Sequence, residues 1–308
     1  MYKTLITSYN NPDVDGVSCA FAYAELLQKQ GLDAVAGIFG TLHPEAQFVL
    51  DKFNIGKIAD AELLLVDYPN VILVDASDPN DLTKSIEPNQ VIEIIDHRKL
   101  HYADKFINAN TQIEQVGSCA TLIAEKFFNE NIPISKESAV LLYSAIISNT
   151  INFKNSVTTN RDKIMADWLK QQLDLPENYI HEMFAHKSIF IKSIKETILS
   201  DLKFQTFNNH RISIGQMEIV NAEKCIKDNL EEIQKALFEI KEEESLDYII
   251  LSLIDLNLAK NLFVVIDDKT KDLLEKTLHI EFDNQIAQTD YIIMRKELNP
   301  KIKEELEK

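Results

Sequence analysis

Cysteine is scarce: Cys19, Cys119 and Cys225 are the three in 308 residues, far apart and odd in number. That pattern excludes a disulfide framework and a CxxC metal site, and it fits a reducing cytosol. Glycine is scarce too, with seven residues, none adjacent to another, which argues against a glycine-rich nucleotide loop. No stretch approaches the roughly 18 uninterrupted apolar residues of a membrane span, and the opening MYKTLITSYNNPD has no cleavable signal pattern. The expectation is a cytoplasmic protein with no membrane partner. Positive charge is the last deficit: 32 Lys and Arg stand against 49 Asp and Glu, a formal net charge of −17. Such a field repels nucleic-acid phosphates at long range, so no nucleic-acid partner is expected. A phosphate ligand has to be met by a few concentrated positive groups or by metal ions.

What is present is a globular composition, 45% hydrophobic, enough over this length for one large core or two ordinary ones. In the first half short apolar runs alternate with helical periodicity: KTLITS, GVSCAFAYAELLQKQ, DAVAGIF, HPEAQFVLDKF, NVILVDAS. This is a βαβ rhythm, and the continuous runs VILVD and VIEIID suit strands covered on both faces. From Gly117 to Ala185 the pattern is helical. A second unit begins near Ile194, with a hairpin turning at Asn208 and Asn209, a long charged helix, and further strands in LDYIILSLID, NLFVVID and TDYIIMR. The fold expected is α/β in two domains: residues 1–188, a doubly wound, mainly parallel sheet, and residues 194–308, a smaller α/β or α+β domain. Between them HKSIFIKSIKETILSD lacks Gly and Pro and reads as a helical hinge.

The first strand hands over to its helix at NNPDVDG, which places Asp13 and Asp15 one residue apart. Asp75 closes VILVD, and Asp96 with His97 closes VIEIID. In an open α/β sheet the functional crevice lies at the carboxyl ends of the strands, so these groups are expected to meet. A lone Asp after a strand is more often a helix cap. Three strand ends together, with an imidazole, point to a divalent cation, because neighbouring carboxylates are costly unless neutralised, and these ligands suit manganese, magnesium or zinc. The remaining histidines lack ligand spacing and read as surface or packing residues. Gly117 and Ser118, opening a helix, have the alternatives of an anion-binding turn or a plain cap.

NPDVD, VILVDAS, IIDHR and AIISNTINFK, in this order and spacing, resemble the four motifs of the DHH phosphoesterase superfamily, nearest to the family II inorganic pyrophosphatases. DLKFQTFNNHRISIGQMEIVNA and YIIMRKELNP resemble the phosphate-gripping segments of its C-terminal domain. The resemblance covers nearly the whole chain. It implies a metal-dependent hydrolase acting on acid anhydrides, with an active site in a cleft between a metal-binding and a substrate-binding domain. Asp75 would bridge two metal ions, with Asp13 on one of them and Asp15 and His97 on the other. Lys203 and Arg295 would act in catalysis and, with Lys296, bind the phosphates, and Arg98 is expected to share both tasks. Manganese or magnesium is the implied cofactor, cobalt a further option, as one or two ions. A homodimer through an edge of the first sheet is implied as well.

Three positions depart from the family pattern. Tyr9 stands where the pattern has a His, and a neutral phenol is a far poorer ligand. The DHH triplet reads Asp96, His97, Arg98, which puts a permanently charged fork suited to phosphate where a second His is usual. Asn149 replaces an Asp ligand and can offer a carbonyl oxygen without charge. The readings left open are a pyrophosphatase acting on pyrophosphate or short polyphosphate, an inactive phosphate- or nucleotide-binding regulatory homologue, and a prune-like exopolyphosphatase or nucleotide phosphodiesterase.

Overall fold

The structure is a computed structural model that describes residues 3–99, 101–188 and 193–308. The chain divides into two compact units, one running to His186 and one from Lys187 to Lys308.

The first unit is built on β1 (Lys3–Thr7), α1 (Val14–Lys29), β2 (Asp33–Ile38), α2 (Pro44–Lys52), β3 (Ala59–Asp60), α3 (Ala61–Leu64), β4 (Asn70–Val74), β5 (Val91–Asp96) and β6 (Asn110–Ile113). The helices α4 (Cys119–Glu130), α5 (Lys136–Asn149), α6 (Asn160–Lys170) and α7 (Tyr179–Lys187) follow. The strands form one parallel sheet in the order β3-β2-β1-β4-β5-β6, as the βαβ rhythm predicts. Side chains alternate across it: Leu5, Val71, Leu73 and Ile94 share one buried cluster with Ala61 of α3 and Phe106, while α1, α4 and α5 pack together at the other face. Because a strand's successive residues point to opposite faces, only an apolar run such as NVILV covers both. The order runs outward from β1 to β3, then returns to β4 beside β1. That reversal is a switch point, where the loops after β1 and β4 diverge and leave a crevice at the strand ends.

Helix α4 is tied to α6 by one carboxylate. Asp162, fully buried, accepts from the Gly117 N–H (3.0 and 2.9 Å to its two oxygens), the Thr121 hydroxyl (2.6 Å) and the Thr159 N–H (2.7 Å). Gly117 is required by this approach, since a Cβ there would meet Thr150 at 2.6 Å and Asp162 at 2.9 Å.

The second unit contains α8 (Ile194–Ser200), β7 (Leu202–Phe207), β8 (His210–Ile219), α9 (Ala222–Glu243), β9 (Tyr248–Asp255), β10 (Lys260–Val264), α10 (Asp268–Leu278), β11 (Ile286–Gln288) and α11 (Arg295–Leu306). Its mixed sheet has the order β11-β10-β9-β8-β7, with β8 and β9 parallel and joined by the α9 crossover. One apolar cluster lies with α8 and α9, a second with α10 and α11. Asn208 (φ 46°) and Asn209 (φ 64°) make the hairpin turn in the left-handed region that Asn tolerates. The expected hinge falls partly on residues 189–192, outside the described residues; α7 ends at Lys187 and α8 begins at Ile194.

One strand expectation fails. TDYIIMR leaves the sheet after Gln288, because the Asn261 side chain takes both backbone groups of Ile293, accepting its N–H at 2.9 Å and donating to its carbonyl at 2.8 Å. The segment's polar backbone is thereby satisfied without a ladder, and α11 can start at Arg295.

Replacing Asp162 by Ala strands a buried N–H (Gly117), a buried hydroxyl (Thr121) and the part-buried Thr159 N–H, so Asp162→Ala should lower unfolding free energy by about 2–4 kcal/mol in urea titration. A loss below about 1 kcal/mol would show that the clamp is replaceable by water.

Candidate metal centre

Asp13 and Asp15 divide the labour that their spacing suggested. Asp13 is the N-cap of α1, its Oδ1 accepting the N–H groups of Asp15 (2.9 Å) and Gly16 (3.2 Å). Asp15 lies in the first turn, fully buried, and points away from its own helix start. Its Oδ2 accepts from the Cys119 N–H (2.8 Å) and from Asn149 Nδ2 (2.5 Å); its Oδ1 accepts from the Ala120 N–H (2.9 Å) and, more weakly, from the Cys19 thiol (3.4 Å). The anion held at the start of α4 is therefore a side chain of this chain, and Gly117 itself serves Asp162.

Asp75 follows β4 with φ 52°, the left-handed region, while its N–H still donates to the Ile95 carbonyl at 2.8 Å. The turn rotates the carboxylate out of the strand's alternation and over the switch point. Asp96, fully buried, is engaged with backbone: its Oδ1 accepts the N–H groups of His97 (2.7 Å) and Arg98 (3.3 Å), and the Ser77 hydroxyl donates to Oδ2. It shapes the turn that presents the next two side chains.

His97 Nδ1 lies 3.0 Å from the Val116 carbonyl, which can only accept, so Nδ1 carries a proton. Nε2 then faces Asp75 Oδ1 at 3.4 Å and Asp15 Oδ2 at 3.9 Å. Asp15, Asp75 and His97 each offer a ligand atom, all within 4.8 Å of one another. Burial pushes the Asp75 carboxyl up to about 7, Asp15 adding to the rise while His97 and Arg98 oppose it. Burial also raises Asp15, against the pull of His97. For His97 burial works against the charged form, but the Asp75 and Asp15 carboxylates override it and raise the imidazole to about 10.

Arg98 completes the cluster. Its Nη2 donates to the Asp75 carbonyl at 3.0 Å and sits 4.0 Å from Asp75 Oδ1, Nη1 reaches Asp81 at 3.4 Å, and the guanidinium lies 5.3 Å from the Tyr9 ring centre. Tyr9 accepts the Asp13 N–H on its hydroxyl at 3.1 Å. Burial, with Asp13 and Asp75 nearby, keeps that phenol un-ionised by raising its pKa.

The donor set fits a divalent cation. Two carboxylates and an imidazole, from the first turn of α1 and the ends of β4 and β5, are brought within ligand distance, and the Val116 carbonyl fixes the ring so that Nε2 faces the carboxylates. A lone pair on Nε2 facing two carboxylate oxygens is repulsive unless a proton or a metal lies between them. Asp13 lies beside the group with its carboxylate on the helix start, and Asn149 meets the centre through Asp15.

In the second unit Arg295 braces the hairpin. Its Nη2 donates to Asp201 Oδ1 at 2.8 Å, and its Nη1 donates to the carbonyls of Asp201 and, at 3.2 Å, Ile214. Burial raises the Asp201 carboxyl, and Arg295 opposes that rise. Lys203 is exposed on β7 in register with Ile214, so the two cations share one end of the hairpin; Lys296 is exposed in the first turn of α11.

Three supporting groups escape a reading of residue types. The Val116 carbonyl and the N–H groups of Cys119 and Ala120 are backbone, and no letter reports them. Asp96 was visible as a strand-end acid, but its service to the backbone was not.

The chain matches the DHH family, N-terminal domain, over residues 3–146 and the DHHA2 domain over residues 181–304. It is 29% identical over 298 residues to the manganese-dependent inorganic pyrophosphatase of Bacillus subtilis, covering 96% of each chain. Proteins assigned the same name are 30% identical in Bacillus velezensis, covering 96% of each chain, and 31% identical in Clostridium acetobutylicum, covering 94% of each. A crystal structure assigned to family II inorganic pyrophosphatases from Methanococcus jannaschii superposes with a TM-score of 0.72 at 27% identity, covering 99% of this chain and 100% of that one.

Asn tolerates the left-handed region as Asp does, whereas Ala there costs roughly 1–2 kcal/mol. Asp75→Asn should therefore unfold at close to the unsubstituted temperature, and Asp75→Ala several degrees lower. The unsubstituted protein should gain about 2.7 kcal/mol at a manganese concentration 100 times its Kd, and Asp75→Asn should lose most of that gain, read by thermal unfolding with and without manganese. An undiminished manganese response in Asp75→Asn would remove Asp75 from the centre.

Proposed function

Since the chain belongs to the DHH family, among the manganese-dependent inorganic pyrophosphatases, we propose that it is a metal-dependent phosphohydrolase that splits phosphoanhydride bonds, with inorganic pyrophosphate the first substrate and short polyphosphate the next. The observation that carries this reading is the meeting of Asp15, Asp75 and His97, delivered by the first turn of α1 and by the ends of β4 and β5. In this proposal those three hold the cation, manganese first and magnesium or cobalt as alternatives, with Asn149 and Asp13 in support. When bound, such an ion supplies Lewis-acid polarisation of phosphoryl oxygen and acidifies water.

The chain's own residues do the rest. Arg98, about one-third exposed at its side chain, retains N–H donors beyond those used on the Asp75 carbonyl and Asp81, and a planar fork matches two phosphoryl oxygens. In the second unit Lys203 supplies an exposed point charge suited to phosphate, and Lys296 adds a second; Arg295 holds the hairpin that presents Lys203 and offers its remaining donors to phosphate. Water adds to one phosphorus, the bridging P–O bond breaks, and two phosphates leave. In this reading residues 1–188 form the metal-binding domain and residues 194–308 the substrate-binding domain.

A cytoplasmic location belongs to the same proposal, supported by the sparse, scattered cysteines; among the described residues no helix is long and apolar enough to cross a membrane. The net charge of −17 supports a small phosphate substrate over nucleic acid, and the outer strands β3 and β6 leave sheet edges on which a homodimer could pair. A second reading, phosphate binding without turnover, draws support from Asn149, which meets Asp15 through an N–H in place of a carboxylate.

A phosphate-release assay with pyrophosphate, tripolyphosphate and longer polyphosphate, each under manganese, magnesium and cobalt, should show metal-dependent release that is fastest with pyrophosphate. Arg98→Ala and Lys203→Ala should each lower kcat/KM by about 10- to 100-fold, the effect of losing a charged hydrogen bond worth roughly 1.5–3 kcal/mol. Calorimetric binding of pyrophosphate with no release under any metal would establish the second reading instead.

A further inference from the structure

We infer that the centre takes one tightly held divalent cation, with the Arg98 guanidinium serving as its second positive charge. The inference rests on the metal-centre reading above and concerns how many ions these residues can hold. Among the described residues Asp15, Asp75 and His97 form the single group of three or more acidic, His or Cys side chains with converging ligand atoms. The neighbouring carboxylates are wholly or partly engaged elsewhere: Asp96 on both oxygens and Asp13 on one. Asp13 Oδ1 caps α1 with two N–H bonds, and Asp96 accepts from two N–H groups and the Ser77 hydroxyl.

A carboxylate has about four lone-pair sites, and on Asp15 four donors face them: Cys119 N–H, Ala120 N–H, Asn149 Nδ2 and the Cys19 thiol. Two of the four are backbone groups fixed by α4, so a cation gains a site on Asp15 by displacing the weak thiol contact or by turning the Asn149 amide. Turning that amide would present its carbonyl oxygen, one further neutral ligand and no further charge.

The remaining approach to Asp75 belongs to Arg98. Its Nη2 is bonded to the Asp75 carbonyl at 3.0 Å and lies 4.0 Å from Oδ1, while Nε stands 3.9 Å from Asp96 and Nη1 3.4 Å from Asp81. The Tyr9 ring, 5.3 Å from the guanidinium, closes the face toward Asp13. A second divalent ion on this side of Asp75 would have to expel a guanidinium that is bonded to the Asp75 carbonyl, lies within 4.0 Å of three carboxylates and stands beside an aromatic ring. Its presence within a few ångström would also repel that ion through a shielded, low-dielectric space.

The test is the manganese count of the full chain, by equilibrium dialysis with metal analysis, together with the electron paramagnetic resonance spectrum of the bound ion. The expected result is one manganese per chain with an isolated-ion, six-line spectrum. Two ions per chain with a spin-coupled spectrum would overturn the inference while leaving the phosphohydrolase reading intact. No bound manganese would overturn the metal centre itself, and this inference with it. A triple variant, Tyr9→His, Arg98→His and Asn149→Asp, should take up a second ion and show coupling. If that variant keeps its circular dichroism and still binds one, Arg98 is not what limits the count and the role given to it falls.

Discussion

The first unit depends on a buried negative charge at the start of a helix. Asp15 comes from α1, and the N–H groups of Cys119 and Ala120 that hold it belong to α4, more than a hundred residues later. An ionised carboxylate is costly in a protein interior unless it is hydrogen-bonded, and the unpaired N–H groups at a helix start are among the better partners available. The bond fixes α4 against α1 and, through Asp162, fixes α6 against α4. Sheet, helices and centre are thereby set relative to one another by charge as well as by packing.

Crowding of like charge at the switch point is resolved by giving each acid a different partner. Asp13 goes to a helix cap, Asp96 to the turn that carries His97 and Arg98, and Asp15 to a helix start. Asp75 is the least satisfied of the four, held in the left-handed region with an imidazole on one side and a guanidinium on the other. Backbone strain at a functional position is tolerated when the surroundings over-determine it, and here the Asp75 N–H bond to Ile95 keeps the turn tied to β5. The geometry thus leaves one carboxylate the least engaged, while its neighbours are mostly committed to structure.

Much of this was legible in the letters. Continuous Val, Ile and Leu runs indicated a sheet covered on both faces, and acids at the ends of three runs indicated where it would act. The paired Asn residues marked the hairpin turn for a physical reason that holds in the structure. What could not be read is which partner each backbone donor or acceptor takes: the Val116 carbonyl behind His97, Asp15 as the anion at a helix start that the letters had already marked, and the Asn261 side chain that draws TDYIIMR out of the sheet. Periodicity reports which face is apolar and is blind to a side-chain amide that substitutes for a ladder. Arg295 shows a related limit, since its type is suited to phosphate while its bonds to Asp201 and Ile214 also make it a brace.

The long reach between Asp15 and its partners has a consequence for biosynthesis. During translation β1 and α1 emerge first, yet the groups that orient the Asp15 carboxylate are supplied by α4 and by Asn149 at the end of α5. Nascent chains shorter than about half the protein therefore lack the groups that orient Asp15, and the acidic cluster takes its arrangement only after α4 and α5 have been made.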